Sequence, residues 1–285
     1  MRIFITGGSG FIGSYLRDEL SERGHEVIAP EHGQLDLTKD GMEESVLREK
    51  PQVIIHLAGI KDQKFCEDPK NYEVAYAINV TASKRLAEAS NRLGCLFVFL
   101  STDFVFDGKE GNYAEEDTPC PASVYGKLKL EVEEYLKKSC RRYLICRTSG
   151  VYGLYRGKES FIDYVLVNLA AGKKVVAYAN IINCPTLVYD LCGFIGKILS
   201  NWESLANGIY HVCGDEKVSR LEFARKIAVV FEYNKSLVEE AKKEGFELQD
   251  TSLNNTRAKE TLGFSPATIK RGLSILRGEL NDKKA

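Results

Sequence analysis

A phenol and an ammonium stand four residues apart in the stretch Ser123-Val124-Tyr125-Gly126-Lys127-Leu128-Lys129. On a helix that spacing puts Tyr125 and Lys129 on one face, about one turn from each other. A free phenol titrates near ~10, and a nearby cation favours the phenolate and lowers that value, so the pair can form a tuned acid. Such pairs are common on helix surfaces, and this one takes its meaning from two other features. Near the start of the chain, Gly7-Gly8-Ser9-Gly10-Phe11-Ile12-Gly13 is a G-x-x-G-x-x-G loop. Glycines there let the backbone approach a pyrophosphate that also feels the N-terminus of the following helix. Midway along, the apolar run Leu96-Phe97-Val98-Phe99-Leu100 delivers Ser101-Thr102-Asp103. That is the carboxyl end of a buried strand, where open α/β sheets place their ligands.

The elements that must position these groups can be read from the pattern. Residues 2–6 predict a strand, about 14–23 a helix ended by Gly24, and 26–29 a second strand, which makes a βαβ unit around the glycine loop. Glu31 follows the second strand. An acid there accepts hydrogen bonds from an adenosine ribose and repels a 2′-phosphate, favouring NAD(H). His32 beside it and Arg2 leave room for NADP(H). Asp36, with the backbone at Leu37, suits an adenine edge. The strand at 51–59 ends in Leu57, Ala58 and Gly59, small enough at its tip for a flat cofactor to lie close. His56 within it reads as a core histidine rather than a catalyst. A polar loop (60–70, with Lys61, Asp62 and Lys64) precedes a long helix from Pro69 to Arg92 that contains Asn79. The Tyr125 helix continues through Leu136, and Tyr143–Arg147 is another buried strand. After Gly153 the pattern changes to helices at about 160–171, 187–200 and 220–232, strands at 175–178 and 208–212, and a more polar remainder.

Composition bounds the function. The chain has 285 residues, 44% hydrophobic and 28% charged, with net charge −1. That balance gives no electrostatic case for nucleic acid or a membrane surface. No run of ~18 apolar residues suggests a transmembrane helix, and the glycine-rich start is unlike a signal peptide. The eight cysteines form no CxxC pair, and there are only four histidines. Metal-ligand spacing is absent, and the cysteines read as reduced thiols in a cytoplasm.

The glycine loop TGGSGFIG (6–13), the acid at 31, HLAG (56–59), Asn79, STD (101–103) and YGKLK (125–129) occur in an order that resembles the extended short-chain dehydrogenase/reductase family. The resemblance covers nearly the whole chain. Within the family it points to the branch of dTDP-4-dehydrorhamnose reductases and related nucleotide-sugar reductases, through Ser101–Gly108, Arg147-Thr148-Ser149, Pro185-Thr186, Thr251–Asn254 and Leu262-Gly263-Phe264. It implies an α/β, Rossmann-type doubly wound, mainly parallel sheet with a smaller C-terminal α/β substrate lobe. Residues 1–150 and 186–214 would form the dinucleotide domain, and 151–185 with 215–285 the substrate lobe, closing over a nucleotide-linked sugar. Tyr125 would protonate a carbonyl oxygen. Lys129 would bind the nicotinamide ribose and depress the Tyr125 pKa. Thr102, with Ser101 as the alternative, would donate to the same carbonyl. Gly7, Gly10, Phe11, Ile12, Gly13, Glu31, Asp36, Leu37, Leu57, Ala58 and Gly59, with Tyr125 and Lys129, would hold the cofactor. Asp103, Gly150 and Arg257 are the expected substrate contacts, and Arg156, Lys158, Lys173 and Arg257 the candidate cations for its diphosphate. Relatives often pair as homodimers.

Two departures bear on the chemistry. Related 4,6-dehydratases carry an Asp-Glu pair after the threonine, whereas Phe104 follows Asp103 here, which removes the second acid needed to eliminate water. The rhamnose-forming reductases usually have Trp where Gly150 stands, which leaves the sugar open. Hydride transfer by a reductase is the expected reaction. An epimerase that keeps its NAD bound, or a non-catalytic regulatory subunit on the same fold, are the alternatives.

Overall fold

The structure, a computed structural model, describes residues 1–154, 160–245 and 249–282. Its first strands are β1 (Arg2–Thr6), β2 (Glu26–Ile28), β3 (Val53–His56), β4 (Leu96–Thr102) and β5 (Tyr143–Thr148). With the strand Gly208–Val212 they form a six-stranded sheet in which that strand is followed by β5, β4, β3, β1 and β2. The pairings of β1 with β2, β1 with β3 and β3 with β4 are parallel, with Ile3 opposite Val53 and Val53 opposite Leu96. β3 and β4 are almost wholly buried, as expected of parallel strands covered on both faces. This is the doubly wound, mainly parallel architecture that the sequence predicts.

Helix α1 (Phe11–Glu22) starts three residues earlier than its apolar pattern suggests. Gly10, extended, is its N-cap, and Gly13 already lies in the first turn. A Cβ on Gly13 would stand 2.1 Å from the Gly7 carbonyl oxygen, so only glycine lets the turn close this tightly on the loop. Helix α2 spans Met42–Glu49. The expected loop and long helix after β3 resolve into α3 (Gln63–Glu67), α4 (Tyr72–Tyr76), a π-helical turn (Ala77–Thr81) and α5 (Ala82–Leu93). The π turn holds Asn79, whose side chain accepts from Ile60 N (2.8 Å) and donates to Ile60 O (3.1 Å). The helix therefore changes winding where it grips the segment after β3.

Helix α6 (Val124–Ser139) begins at Ser123, whose hydroxyl caps Gly126 N–H at 3.1 Å, while Glu67 of α3 accepts from Val124 N–H at 2.8 Å. Gly126 packs against the 3₁₀ turn Asp103–Val105, where a Cβ would stand 2.1 Å from the Phe104 carbonyl oxygen. The core of this part joins residues of β1, β3, β4 and β5 to Leu86, Leu128, Val132 and Leu136 of the covering helices.

The chain divides into two compact units: 1–107, 118–147 and 192–210 in one, and 108–117, 148–191 and 211–285 in the other. The second unit is built from helices 161–170, 220–230, 256–262 and 269–282 and from short strands. Ser160 and Ser219 each open a helix with a capping box. The segment 108–117 belongs here because Asp250 N–H donates to Gly108 O (2.7 Å) and Tyr113 N–H to Ser252 O (2.9 Å). Among the described residues no helix is long and apolar enough to cross a membrane, and no cluster of side chains could hold a metal ion.

The Gly126 contact sets a test. In an open helix Gly→Ala would add ~1 kcal/mol of stability. Here the added methyl must push α6 off Phe104, and Gly126→Ala is expected to lower stability by about 1–3 kcal/mol in urea unfolding. A stabilised variant would contradict the close packing.

Candidate active site

Tyr125 is half-buried at the start of α6. Its phenol shares a hydrogen bond with the Thr102 hydroxyl, and its ring meets the edge of Phe104 with centroids 6.2 Å apart. Thr102 is held in turn: its hydroxyl donates to Asp103 Oδ1 (3.0 Å) and accepts from Phe104 N–H (3.2 Å). Two hydroxyls therefore converge at the carboxyl end of β4, where the sequence places them.

The charges differ from the expected arrangement. Lys129 is buried one turn along α6; its Nζ donates to Leu100 O at 2.8 Å and sits 4.4 Å from the centre of the Phe99 ring. Burial pushes its pKa down to about 8, against an opposite pull from Glu133. The Tyr125 phenol is pushed above its ordinary value, first by burial and then by the Asp103 carboxylate, with the Thr102 hydrogen bond opposing. This is the reverse of the depression expected from a neighbouring lysine, because Lys129 is turned to the strand carbonyl. A raised value keeps the proton on the phenol, the form a proton donor needs.

Behind these groups lies a buried polar layer. His56, fully buried, meets Thr6 Oγ1 at 2.6 Å through Nδ1 and Ser83 Oγ at 2.8 Å through Nε2. Ser83 donates its own proton to Asn79 O (2.7 Å), so Nε2 carries the hydrogen and Nδ1 accepts from Thr6. Burial, then the charge of Lys129, pushes His56 down to about 3. It is a neutral core histidine, as the sequence suggests.

The glycine loop fits a dinucleotide. Gly10 is the N-cap of α1 with no side-chain cap, and a helix N-terminus of this kind favours an anion. A Cβ on Gly7 would stand 2.8 Å from Ala58 N, so the loop lies directly on the tip of β3 at Leu57 and Ala58. Gly59 is exposed beside the Asn79 amide, and a Cβ there would stand 2.8 Å from Asn79 Oδ1. Phe11 and Ile12 form the first turn of α1. Glu31 is exposed after β2, with its N–H donating to Gln34 Oε1 (2.9 Å). The Asp36 carboxylate accepts from Thr38 N–H (2.9 Å) and Thr38 Oγ1 (2.7 Å), which lowers its pKa, and Leu37 packs on the core.

Of the expected substrate contacts, Asp103 belongs to this cluster through Thr102, and Gly150 and Arg257 come from later in the chain. Asp103 is buried. Gly150 has φ +52°, and a Cβ on it would stand 2.9 Å from Asn183 Nδ2, so a tryptophan there would displace Asn183. Arg257 pairs with Glu116. Lys173 is exposed, and Arg156 and Lys158 fall outside the described residues.

The sequence reading missed Glu133 and gave Arg147 no part in the site. Both are fully buried, Arg147 Nη2 donating to Glu133 Oε2 at 2.7 Å and Ser101 Oγ donating to Glu133 Oε1 at 2.5 Å. An arginine inside an apolar strand, and an acid eight residues after Tyr125 on the same helix face, were the available signals.

The RmlD substrate binding domain family matches residues 1–278. The chain belongs to that family. A dTDP-4-dehydrorhamnose reductase of Aggregatibacter actinomycetemcomitans is 35% identical over 232 residues, 78% of this chain and 76% of that protein. The crystal structure of a dTDP-4-dehydrorhamnose reductase from Bacillus anthracis in complex with NADP superposes with a TM-score of 0.87 at 29% identity, covering 98% of this chain and 99% of that one. The chain is also 28% identical over 245 residues to the methionine adenosyltransferase 2 subunit beta of Xenopus laevis, 81% of this chain and 72% of that protein. Membership of the RmlD family places the chain among the extended short-chain dehydrogenase/reductases, as its motifs imply.

Buried Lys129 gives a pH signature. The unfolded lysine titrates near ~10.4, the folded one at about 8. Between those values the unfolded chain holds a proton that the folded chain has released, so stability rises with pH. Relative to Lys129→Met, the wild type is expected to gain up to about 3 kcal/mol between roughly pH 7 and pH 10 in denaturant titrations. A flat difference would contradict the burial of that charge.

Proposed function

We propose that the chain is an NAD(P)-dependent nucleotide-sugar oxidoreductase that reduces a keto group of a nucleotide-activated hexose of the dTDP-4-dehydrorhamnose kind. The observation that carries this is the protonated Tyr125 phenol hydrogen-bonded to Thr102, on the same unit as a glycine cradle fit for a dinucleotide. When bound, the nicotinamide supplies the hydride. As the carbonyl carbon receives it, charge develops on the oxygen. Tyr125 delivers its proton to that oxygen while the Thr102 hydroxyl turns from Asp103 to donate to it. Lys129, released from Leu100 O, binds the ribose. Gly7, Gly10, Phe11, Ile12, Gly13, Glu31, Asp36, Leu37, Leu57, Ala58 and Gly59 hold the cofactor.

Glu31 favours NADH by repelling a 2′-phosphate, whereas the Bacillus anthracis relative was crystallised with NADP. Residues 1–150 and 186–214 serve the cofactor, and 151–185 with 215–285 the nucleotide-sugar, with Asp103, Gly150 and Arg257 as contacts. A homodimer is the assembly we propose for it, by analogy with the relatives that pair in this way. A cytoplasmic setting suits its eight free cysteines, seven of them buried. The similarity to the methionine adenosyltransferase subunit supports a second reading, a non-catalytic subunit on this fold.

A panel of nucleotide 4-keto-hexoses with NADH and NADPH, followed at the nicotinamide absorbance, separates the two. Turnover is expected with at least one pair. Tyr125→Phe is expected to cut kcat by about 10²- to 10⁴-fold while cofactor binding, read by fluorescence, persists. Full activity in Tyr125→Phe would remove the phenol from the mechanism, and no turnover with any pair would favour the subunit.

A further inference from the structure

Glu133 follows Tyr125 and Lys129 at the same four-residue interval along α6. It has no exposed surface, nor has Arg147, its ion-pair partner. Arg147 reaches it through Nε (3.1 Å to Oε1) and Nη2 (2.7 Å to Oε2), with its guanidinium also against the Phe106 ring at 5.1 Å. Burying two charges in this way is poor value for stability, since an apolar pair of the same volume often does as well. The pair's contacts suggest what it does instead. Glu133 accepts from Ser101 of β4 and from Arg147 of β5, each the penultimate residue of its strand. The residue before Ser101 gives its carbonyl to Lys129, and the residue after it, Thr102, meets Tyr125.

We propose that Glu133 is a positioning residue, whose carboxylate, clamped between Ser101 and Arg147, fixes where Thr102 and Lys129 stand relative to Tyr125. The role in turnover rests on the reductase reading above; the placement does not. The charged and titratable neighbours of Lys129 support it. From α6 comes the Glu133 carboxylate, which favours the ammonium. From β3 comes His56, which is neutral. β4 contributes the Phe99 ring and the Leu100 carbonyl. Glu133 is thus the anion that offsets the burial of Lys129.

Two variants test this. Glu133→Gln with Arg147→Met removes both buried charges at similar volume. Ser101→Ala removes only the hydroxyl anchor and leaves the ion pair. In free protein carrying isotope-labelled lysine, NMR titration of Lys129 is expected to show a lower midpoint in the double variant than in the wild type. Ser101→Ala is expected to lose about 10- to 100-fold in kcat, with the Kd for NAD(P)H unchanged. An unmoved Lys129 midpoint, or wild-type kcat in Ser101→Ala, overturns the proposal. A wild type inactive on every keto-sugar, together with a shifted midpoint, overturns the reductase reading and supports the placement. If the double variant does not fold, Ser101→Ala decides alone.

Discussion

Three successive turns of α6 grip three consecutive residues of β4. Tyr125 meets the Thr102 hydroxyl, Lys129 takes the Leu100 carbonyl, and Glu133 accepts from the Ser101 hydroxyl. Two of these holds are to the side chains of the adjacent residues Ser101 and Thr102, and the third is to a backbone carbonyl, Leu100 O. The helix is locked to the strand end in both translation and rotation, and the candidate proton donor and its hydroxyl partner keep a fixed separation without a cofactor between them.

That lock depends on features some distance from the chemistry. Gly126 lets the first turn of α6 rest on the Phe104 carbonyl, and Glu67 and Ser123 satisfy the amides that a helix start leaves bare. The charges are balanced in the same region. Lys129 is buried against an aromatic ring, with Glu133 as its compensating anion and His56 kept neutral beside it. Asp103, at the other end, raises the phenol's hold on its proton. Burial thus lowers the pKa of Lys129 and raises that of Tyr125, and the raised value keeps the phenol in the protonated form that a proton donor needs.

Much of this was legible because it is local. The glycine spacing, the strand–loop–helix order and the four-residue interval of Tyr125 and Lys129 are properties of short segments, and the structure places them as the pattern implies. What escaped depends on distant parts of the chain. The run Glu131-Val132-Glu133-Glu134 looks like a solvated acidic face. Glu131 does pair with Lys84 and Glu134 with Lys137 near the surface, and only Glu133 turns inward to Arg147. The π turn at Asn79 follows from its side chain bonding Ile60, nineteen residues away, and nothing in its own segment announces it. The direction of the Tyr125 shift was misjudged because spacing reveals a nearby cation but not that its ammonium is bonded to Leu100. In the second unit, strands of two or three residues carry too little periodicity to be read.

The central claim is that Tyr125 gives its proton to a carbonyl oxygen while hydride moves from the nicotinamide to the carbonyl carbon. Its most direct test is a single turnover of a nucleotide 4-keto-hexose with NAD(P)H deuterated at the transferring position of C4, run with wild type and Tyr125→Phe. The expected result is one deuterium at the former carbonyl carbon, stoichiometric oxidation of the nicotinamide, and slowed transfer in Tyr125→Phe. Deuterium that stays on the nicotinamide while the sugar is epimerised, or transfer at the same rate in Tyr125→Phe, would contradict it.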